Sequence, residues 1–282
     1  MQGKDIMKQR ILTAAVALII LVCVLFWLHT PVFNVAIALI GVMAAYELLL
    51  ATKYVENSLL SGVSLVFVAI APFLYTNVPA PIRNAVLLAF VILLFIILLL
   101  RHQTLRIEQI GLVFMVSTLI PFSLSTLIYV RDAFPEHALF YILLTLAGAW
   151  IGDSGAYFVG SFFGKTKLAP EISPKKTVEG LIGGIATNIL VFLLLGYFYS
   201  FYQSSLGIVI DVSYPMIALL AVICAFLGVL GDLSASIIKR QCSIKDFGSI
   251  MPGHGGILDR FDSVLFVAPF MYITLRIVSI LS

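Results

Sequence analysis

Apolar runs long enough to cross a bilayer recur nine times along the chain, at about 11–28, 32–51, 58–75, 84–100, 110–130, 137–163, 178–202, 214–241 and 257–281. A helix needs roughly 20 such residues to traverse about 30 Å of hydrocarbon. Leu87 to Leu100 is apolar without interruption. Polar residues, Gly and Pro fall mostly between the runs, so the pattern predicts one helix per run and short connections. Lys4, Lys8 and Arg10 ahead of the first run imitate a secretory leader. The run is too long for one, and Phe26-Trp27-Leu28-His29 offers no small-residue cleavage site, so it reads as a retained span. The expected fold class is all-α, a polytopic integral membrane helical bundle with about nine transmembrane helices.

Composition agrees. Of 282 residues, 61% are hydrophobic and 11% charged, against about 25% charged in soluble domains. That excludes a soluble enzyme and a disordered chain. A net charge of +3 provides no basic stripe for a nucleic-acid backbone. Cys23, Cys224 and Cys242 are too scattered for a disulfide framework or a thiolate metal site.

Alternating the spans from a cytoplasmic N-terminus puts 14 of the 17 Lys and Arg residues on the cytoplasmic side. Only Arg83, Arg131 and Arg276 fall on the other. This obeys the positive-inside rule, and an odd span count leaves the C-terminus outside. The expected location is a cytoplasmic membrane, with the basic connections facing the cytoplasm.

Charge is also uneven along the chain. Residues 147–184 and 231–262 make up a quarter of its length yet hold 15 of its 31 charged residues. The organisation expected from this is an N-terminal scaffold of five spans (1–135) followed by a catalytic region of four (136–282). An ionised side chain inside a span costs at least ~2.5–3.5 kcal/mol and usually marks function. Asp232, Ser236 and Lys239 are spaced i, i+4, i+7 on one helix face, and Asp259 and Asp262 are i, i+3 neighbours on the next span. Asp232, Asp259 and Asp262 are expected in one layer just below the cytoplasmic interface. Facing carboxylates repel in a low dielectric, and a divalent cation relieves this; oxygen-only ligands suit magnesium. Pairing of each Asp with a nearby Lys or Arg, as of Asp262 with Arg260, is the plainer alternative. Asp153 lies near mid-membrane and must face the bundle interior or a polar cavity. The small-xxx-small pairs Gly148/Gly152 and Gly160/Gly164 predict close helix packing around it.

The loop from Gly164 to Gly180 contains Ser173-Pro174-Lys175-Lys176-Thr177. Ser173 is expected as an N-cap with Pro174 at the first helical position, presenting Lys175 and Lys176 from a helix N-terminus that favours anions. A solvated basic loop is the plainer reading. Pro252-Gly253-His254-Gly255-Gly256 cannot continue a helix and gives backbone free to approach phosphate oxygens. His254 either binds phosphate or caps the turn. Glu47, about 9 Å inside the second span, either joins a polar cavity or snorkels.

Ser236-Ile237-Ile238-Lys239-Arg240, then Lys245-Asp246-Phe247-Gly248, then Pro252-Gly253-His254-Gly255-Gly256-Ile257-Leu258-Asp259-Arg260-Phe261-Asp262 resembles the signature of phosphatidate cytidylyltransferases, also called CDP-diacylglycerol synthases. Met251 stands where that pattern usually has Leu, Ile or Phe, a conservative change. Asp153-Ser154-Gly155-Ala156-Tyr157 and Ser173 to Gly180 look like two further segments of the family. The likeness covers the C-terminal half. It implies that CTP and phosphatidate give CDP-diacylglycerol and pyrophosphate for phospholipid synthesis, with magnesium required and a second cation beside it. Carried over from the family, Asp232 and Asp259 are the first choices as metal ligands, with Asp153 and Asp262 contributing. Asp232, Asp259, Asp262 and Lys239 form the catalytic set. Lys175, Lys176, Arg240, Arg260, His254, Ser173, Asp246 and Ser236 form the substrate-binding set. The partners are CTP, phosphatidate and membrane lipid, with a homodimer compatible and nucleic acid excluded.

Three other readings compete. A CDP-alcohol phosphotransferase needs an Asp-Gly pair, and none occurs in the chain. A CTP-dependent enzyme acting on another lipid phosphate or on a prenol differs only in its acceptor. A cation-coupled transporter would show matching broken helices in both halves, and the first five spans carry no counterpart to the charged segments.

Overall fold

The computed structural model describes residues 2–53, 58–253 and 255–282. His254 thus lies outside the described residues. In chain order the elements are α1 (Gln2–Phe26), α2 (Pro31–Ala51), α3 (Ser58–Asn77), α4 (Ala80–Leu100), α5 (Ile107–Ala133), α6 (Ala138–Phe163), β1 (Lys167–Ala169), β2 (Ser173–Thr177), α7 (Val178–Ser205), α8 (Tyr214–Gln241), α9 (Leu258–Phe261) and α10 (Val264–Ile277). The architecture is all-α, and one two-stranded hairpin is the only sheet among the described residues. Six of these helices, α2 and α4 to α8, are long and apolar enough to span a membrane, while α1 and α3 contribute the shorter apolar stretches Ile11–Phe26 and Leu59–Leu74.

The chain divides into two compact units. The first joins residues 1–132 to the 241–261 segment, and the second joins 133–240 to 262–282. The 241–261 segment, grouped on sequence with the catalytic region, is therefore compact with α1–α5.

In the first unit, Thr30 caps α2 by accepting from Val32 N at 3.3 Å, and Pro31 opens the helix. Leu49, Leu60, Val68, Leu94, Ile120 and Leu124 make its core. Two pairs of polar side chains meet inside it. Ser64 and Ser117 hydroxyls are 2.5 Å apart, and Arg131 Nη1 donates to Asn34 Oδ1 at 2.7 Å and to the Leu28 carbonyl at 3.3 Å. α4 buries only Phe90, Leu94 and Ile97, and from Ala85 to Leu100 it is apolar without interruption and largely exposed. A helical stretch apolar all round with so little protein against it belongs in lipid.

In the second unit α6 and α7 lie unusually close. A Cβ added at Gly183 would collide with Val159, and one added at Gly184 would sit 2.6 Å from the Gly152 carbonyl. Small residues on both helices let the backbones approach, as the Gly148/Gly152 and Gly160/Gly164 spacing predicts. Asn188, wholly buried on α7, donates to the Gly148 carbonyl at 3.2 Å and the Ala221 carbonyl at 3.5 Å, tying α6, α7 and α8 together.

Two local expectations are corrected. Ser173 is not an N-cap: Ser173–Thr177 is strand β2, pairing antiparallel with β1 through Lys167↔Thr177 and Ala169↔Ser173. Thr177 caps α7 instead, its Oγ1 accepting from Gly180 N at 3.1 Å. The physical reason is that Pro174 favours extension at Ser173, whereas Thr177 stands directly before the apolar run. Glu179 closes the hairpin by accepting from the Lys165 and Thr166 amides at 3.1 Å. Second, Asp259 and Asp262 do not share one continuous helix face. The helix breaks at Asp262 and Ser263, between α9 and α10. There the Asp262 carboxylate accepts from Ser263 N at 2.7 Å, a local bond of the kind that competes with helical continuation.

Candidate active site

The second unit gathers carboxylates and cations inside otherwise apolar helices. α6 supplies Asp153, α8 supplies Asp232, Ser236 and Lys239, and the break before α10 supplies Asp262. Asp262 is only 7% exposed. Asp232 and Asp153 act on it as like charges and Lys239 as an opposite one. Ser263 Oγ stands between two of these groups, 3.4 Å from Asp153 Oδ2 and 3.4 Å from Asp262 Oδ1. Its own nearest acceptor is the Gly228 carbonyl of α8, at 3.0 Å. The close approach requires Gly231: a Cβ there would lie 2.6 Å from the Asp262 carbonyl and 2.9 Å from Ser263 Cα. The residue beside Asp232 is glycine because the chain turn carrying Asp262 occupies the space of a side chain.

Lys176 of β2 forms an ion pair with Asp232 of α8. Its neighbour Lys175 is exposed. Arg240, in the last turn of α8, donates to the Ile172 carbonyl at 3.4 Å across the hairpin's turn. Ser236 is buried and Ser173 half-buried. The hairpin thus sets one lysine against the acidic cluster and leaves another at the surface. Among the described residues, no three of His, Cys, Asp and Glu close on a common point as a metal cage would.

The first unit holds the rest of the sequence-predicted set. Asp259 Oδ2 accepts from Phe247 N at 2.9 Å and from Gly256 N at 3.0 Å, bracing the glycine-rich loop across its width. Met251 N donates to the Gly255 carbonyl at 3.0 Å, so the loop doubles back on itself. Gly253 (φ 77°) and Gly255 (φ 90°) occupy the left-handed region that this reversal needs. Asp246 approaches Gly255, and Lys245, Asp246 and Arg260 are exposed.

Sequence reasoning missed Ser263, whose type is unremarkable and whose role comes from the helix break. It also missed the cap at Thr177 and the hairpin closure by Glu179. It left Glu47 undecided. That carboxylate is 2% exposed and accepts from Ile257 N at 3.0 Å and Leu258 N at 2.8 Å. Its placement in an apolar run was the available signal.

Oxygen donors with lysines beside them suit the handling of phosphates and a hard cation. Known proteins point the same way. The phosphatidate cytidylyltransferase of Bacillus subtilis is 37% identical over 277 residues, covering 97% of this chain and 99% of that protein. The enzyme of the same name from Haemophilus influenzae is 42% identical over 164 residues, 56% of this chain and 54% of its own. That of Staphylococcus saprophyticus is 42% identical over 140 residues, half of each chain. A family profile aligns with residues 8–278, so both the acidic cluster and the braced loop fall within the match, and the chain belongs to the cytidylyltransferase family.

Proposed function

We propose that this chain transfers the cytidylyl group of CTP to phosphatidate, giving CDP-diacylglycerol and pyrophosphate. The observation that carries the reading is the cluster of Asp153, Asp232 and Asp262 with Lys176 and Lys239 inside a membrane-type helical unit. A soluble nucleotide and a lipid phosphate meet only where a polar site opens within lipid-embedded helices. A phosphatidate oxygen attacks the α-phosphorus of CTP, the bond between the α-phosphorus and its bridging oxygen breaks, and pyrophosphate leaves with that oxygen. No covalent enzyme intermediate is needed, so positioning and charge neutralisation do the work. Lys176, Lys239 and, from the surface, Lys175 and Arg240 are assigned to phosphate oxygens.

Magnesium fits the donor set. It is commonly held by one or two carboxylates together with substrate phosphates and water, so a closed protein cage is not required. One or two of Asp153, Asp232 and Asp262 would hold it, with substrate phosphates and water completing its shell. Asp259, in the first unit, has Oδ2 committed to two amides of its own loop. The cation, when bound, supplies charge neutralisation at phosphate oxygens.

We further assign a bacterial cytoplasmic membrane with the N-terminus inside and the C-terminus outside. Lys and Arg asymmetry supports this. Backbone bonds between Asp211 and Ser282 tie the C-terminus to the α7–α8 connection, which the same charge asymmetry puts outside.

The test is an assay of purified protein in detergent with CTP labelled in cytidine, phosphatidate and magnesium. A lipid-extractable cytidine product and one pyrophosphate per turnover are expected. Chelation should abolish both, and magnesium should restore them. Absence of a lipid product with phosphatidate, or equal turnover with a prenol or another lipid phosphate, would overturn the assignment.

A further inference from the structure

The glycine-rich loop is held by a residue some 200 positions away. Glu47 projects from α2, in a helix otherwise made of apolar and small residues over its C-terminal half. Each of its oxygens accepts one backbone amide, Oε1 from Ile257 and Oε2 from Leu258. Two glycines of the loop press on the same carboxylate. A Cβ at Gly256 would collide with it, lying 2.6 Å from Cδ, and one at Gly248 would lie 2.8 Å from Cδ. The loop is therefore wrapped around the Glu47 carboxylate, and glycine is needed at both places because the carboxylate fills the room a side chain would take. Asp259 Oδ2 makes the second brace, through Phe247 N and Gly256 N. Four amides of one loop converge on two carboxylates, one borne by the loop and one brought in by α2.

We infer that Glu47 is a positioning residue for cytidylyl transfer, fixing the backbone of the 246–259 loop through the Ile257 and Leu258 amides and through contact with Gly248 and Gly256. This rests on the function proposed above. Glu47 need not touch substrate. It acts through the loop that carries Asp246, Asp259 and Arg260. Three glycines between Pro252 and Ile257 give this segment high backbone entropy when unrestrained, and two braces remove much of that freedom before substrate arrives.

The charged, two-oxygen form matters. In Glu47→Gln one oxygen becomes an NH2 facing an amide N–H, so one of the two bonds becomes a donor–donor clash. Glu47→Asp keeps both acceptors at shorter reach. Gly256→Ala pushes on the carboxylate from the loop side.

The experiment measures CTP kinetics, thermal unfolding and amide hydrogen exchange on the full-length protein in detergent. Glu47→Gln should lower kcat/KM for CTP by roughly 10–100-fold, the scale of an ångström of misplacement. It should also speed exchange in peptides covering 246–258 at least tenfold, while peptides from α7 and α8 keep their wild-type rates. Glu47→Asp should recover part of both effects, and Gly256→Ala should reproduce them in a chain that retains Glu47. Wild-type exchange and kinetics in Glu47→Gln would overturn the inference. So would activity losses that track the loss of folded protein in all three variants. If the wild-type protein transfers no cytidylyl group, the proposed function fails, while exchange in 246–258 still decides whether Glu47 holds the loop.

Discussion

Lys176 of the hairpin is ion-paired with Asp232 of α8, with side-chain exposures of 20% and 27%. The pair links the strand leading into α7 to the helix bearing the acidic cluster, and each partner is placed by a separate device. Thr177 and Glu179 fix the hairpin, and Gly231 lets the Asp262 turn seat beside Asp232. On the function proposed above, a half-buried cation facing a carboxylate is a charge placed to meet phosphate oxygens.

Lys176→Met should therefore reduce cytidylyl transfer by about 10²-fold or more, as loss of a donor aimed at developing charge does. Lys176→Arg should recover little, because a planar fork does not occupy the space of an ammonium. Removing one partner of a half-solvated pair destabilises by about 1–3 kcal/mol, enough to shift unfolding without abolishing the fold. Turnover measured beside thermal unfolding in detergent separates the two effects. Wild-type turnover in Lys176→Met would remove the lysine from the site.

Much of this arrangement was legible in the sequence. Apolar runs located the helices, and α8 matches its expected limits of 214 and 241. The i, i+4, i+7 spacing put Asp232, Ser236 and Lys239 on one face because α8 is continuous. Asp259 and Asp262 failed the same rule because no periodicity announces the break between them. It arises where Asp262 and Ser263 satisfy each other's polar groups and α8 offers the Gly228 carbonyl. The hairpin was hidden for a related reason. Ser173-Pro174 is a common helix opening, and only pairing with Lys167–Ala169, together with the better-placed cap at Thr177, decides for a strand. Glu47 showed its burial through its apolar neighbours, but its partners lie more than 200 residues away, beyond any local pattern.

Ser263 sits between Asp153 and Asp262 while donating most closely to the Gly228 carbonyl. Ser263→Ala leaves that carbonyl without its hydroxyl and removes the polar atom separating two carboxylates. The expected cost is about 1–3 kcal/mol of stability. The magnesium concentration giving half-maximal activity should also change, because the spacing of two candidate ligands changes. Asp262→Asn should cost about 10²-fold in turnover. Magnesium titrations of both variants check this, and an unchanged half-maximal concentration in Ser263→Ala would exclude a part for the hydroxyl in ligand spacing.

Thr177 does two things at once: it caps α7 and packs against Gly160 and Gly164 at the end of α6. Thr177→Ala loses the bond to Gly180 N, worth about 1 kcal/mol at an N-cap. Thr177→Ser keeps that bond and loses only the methyl group. The serine variant should unfold close to wild type, with the alanine variant about 2–4 °C lower. Equal unfolding temperatures in the two would mean that methyl packing, not capping, is what Thr177 supplies.

The C-terminus is tied down in a way that bears on topology. Asp211 N donates to the Ser282 carbonyl at 2.8 Å, Ser282 N returns a bond to the Asp211 carbonyl at 3.0 Å, and Val212 bridges Leu281. The connection between α7 and α8 and the last residues of the chain therefore lie on the same side of the membrane. Lys165, Lys167, Lys175 and Lys176 precede α7, and Lys239, Arg240 and Lys245 follow α8, so the orientation proposed above predicts that this shared side is the outer one. An alkaline phosphatase joined after Ser282 should be active in bacterial cells, and a fluorescent protein that matures only in the cytoplasm should stay dark there. The same pair of reporters placed after Lys245 should give the opposite result. A bright fluorescent fusion at Ser282 would invert the whole assignment, because the basic connections would then face outward against the charge rule.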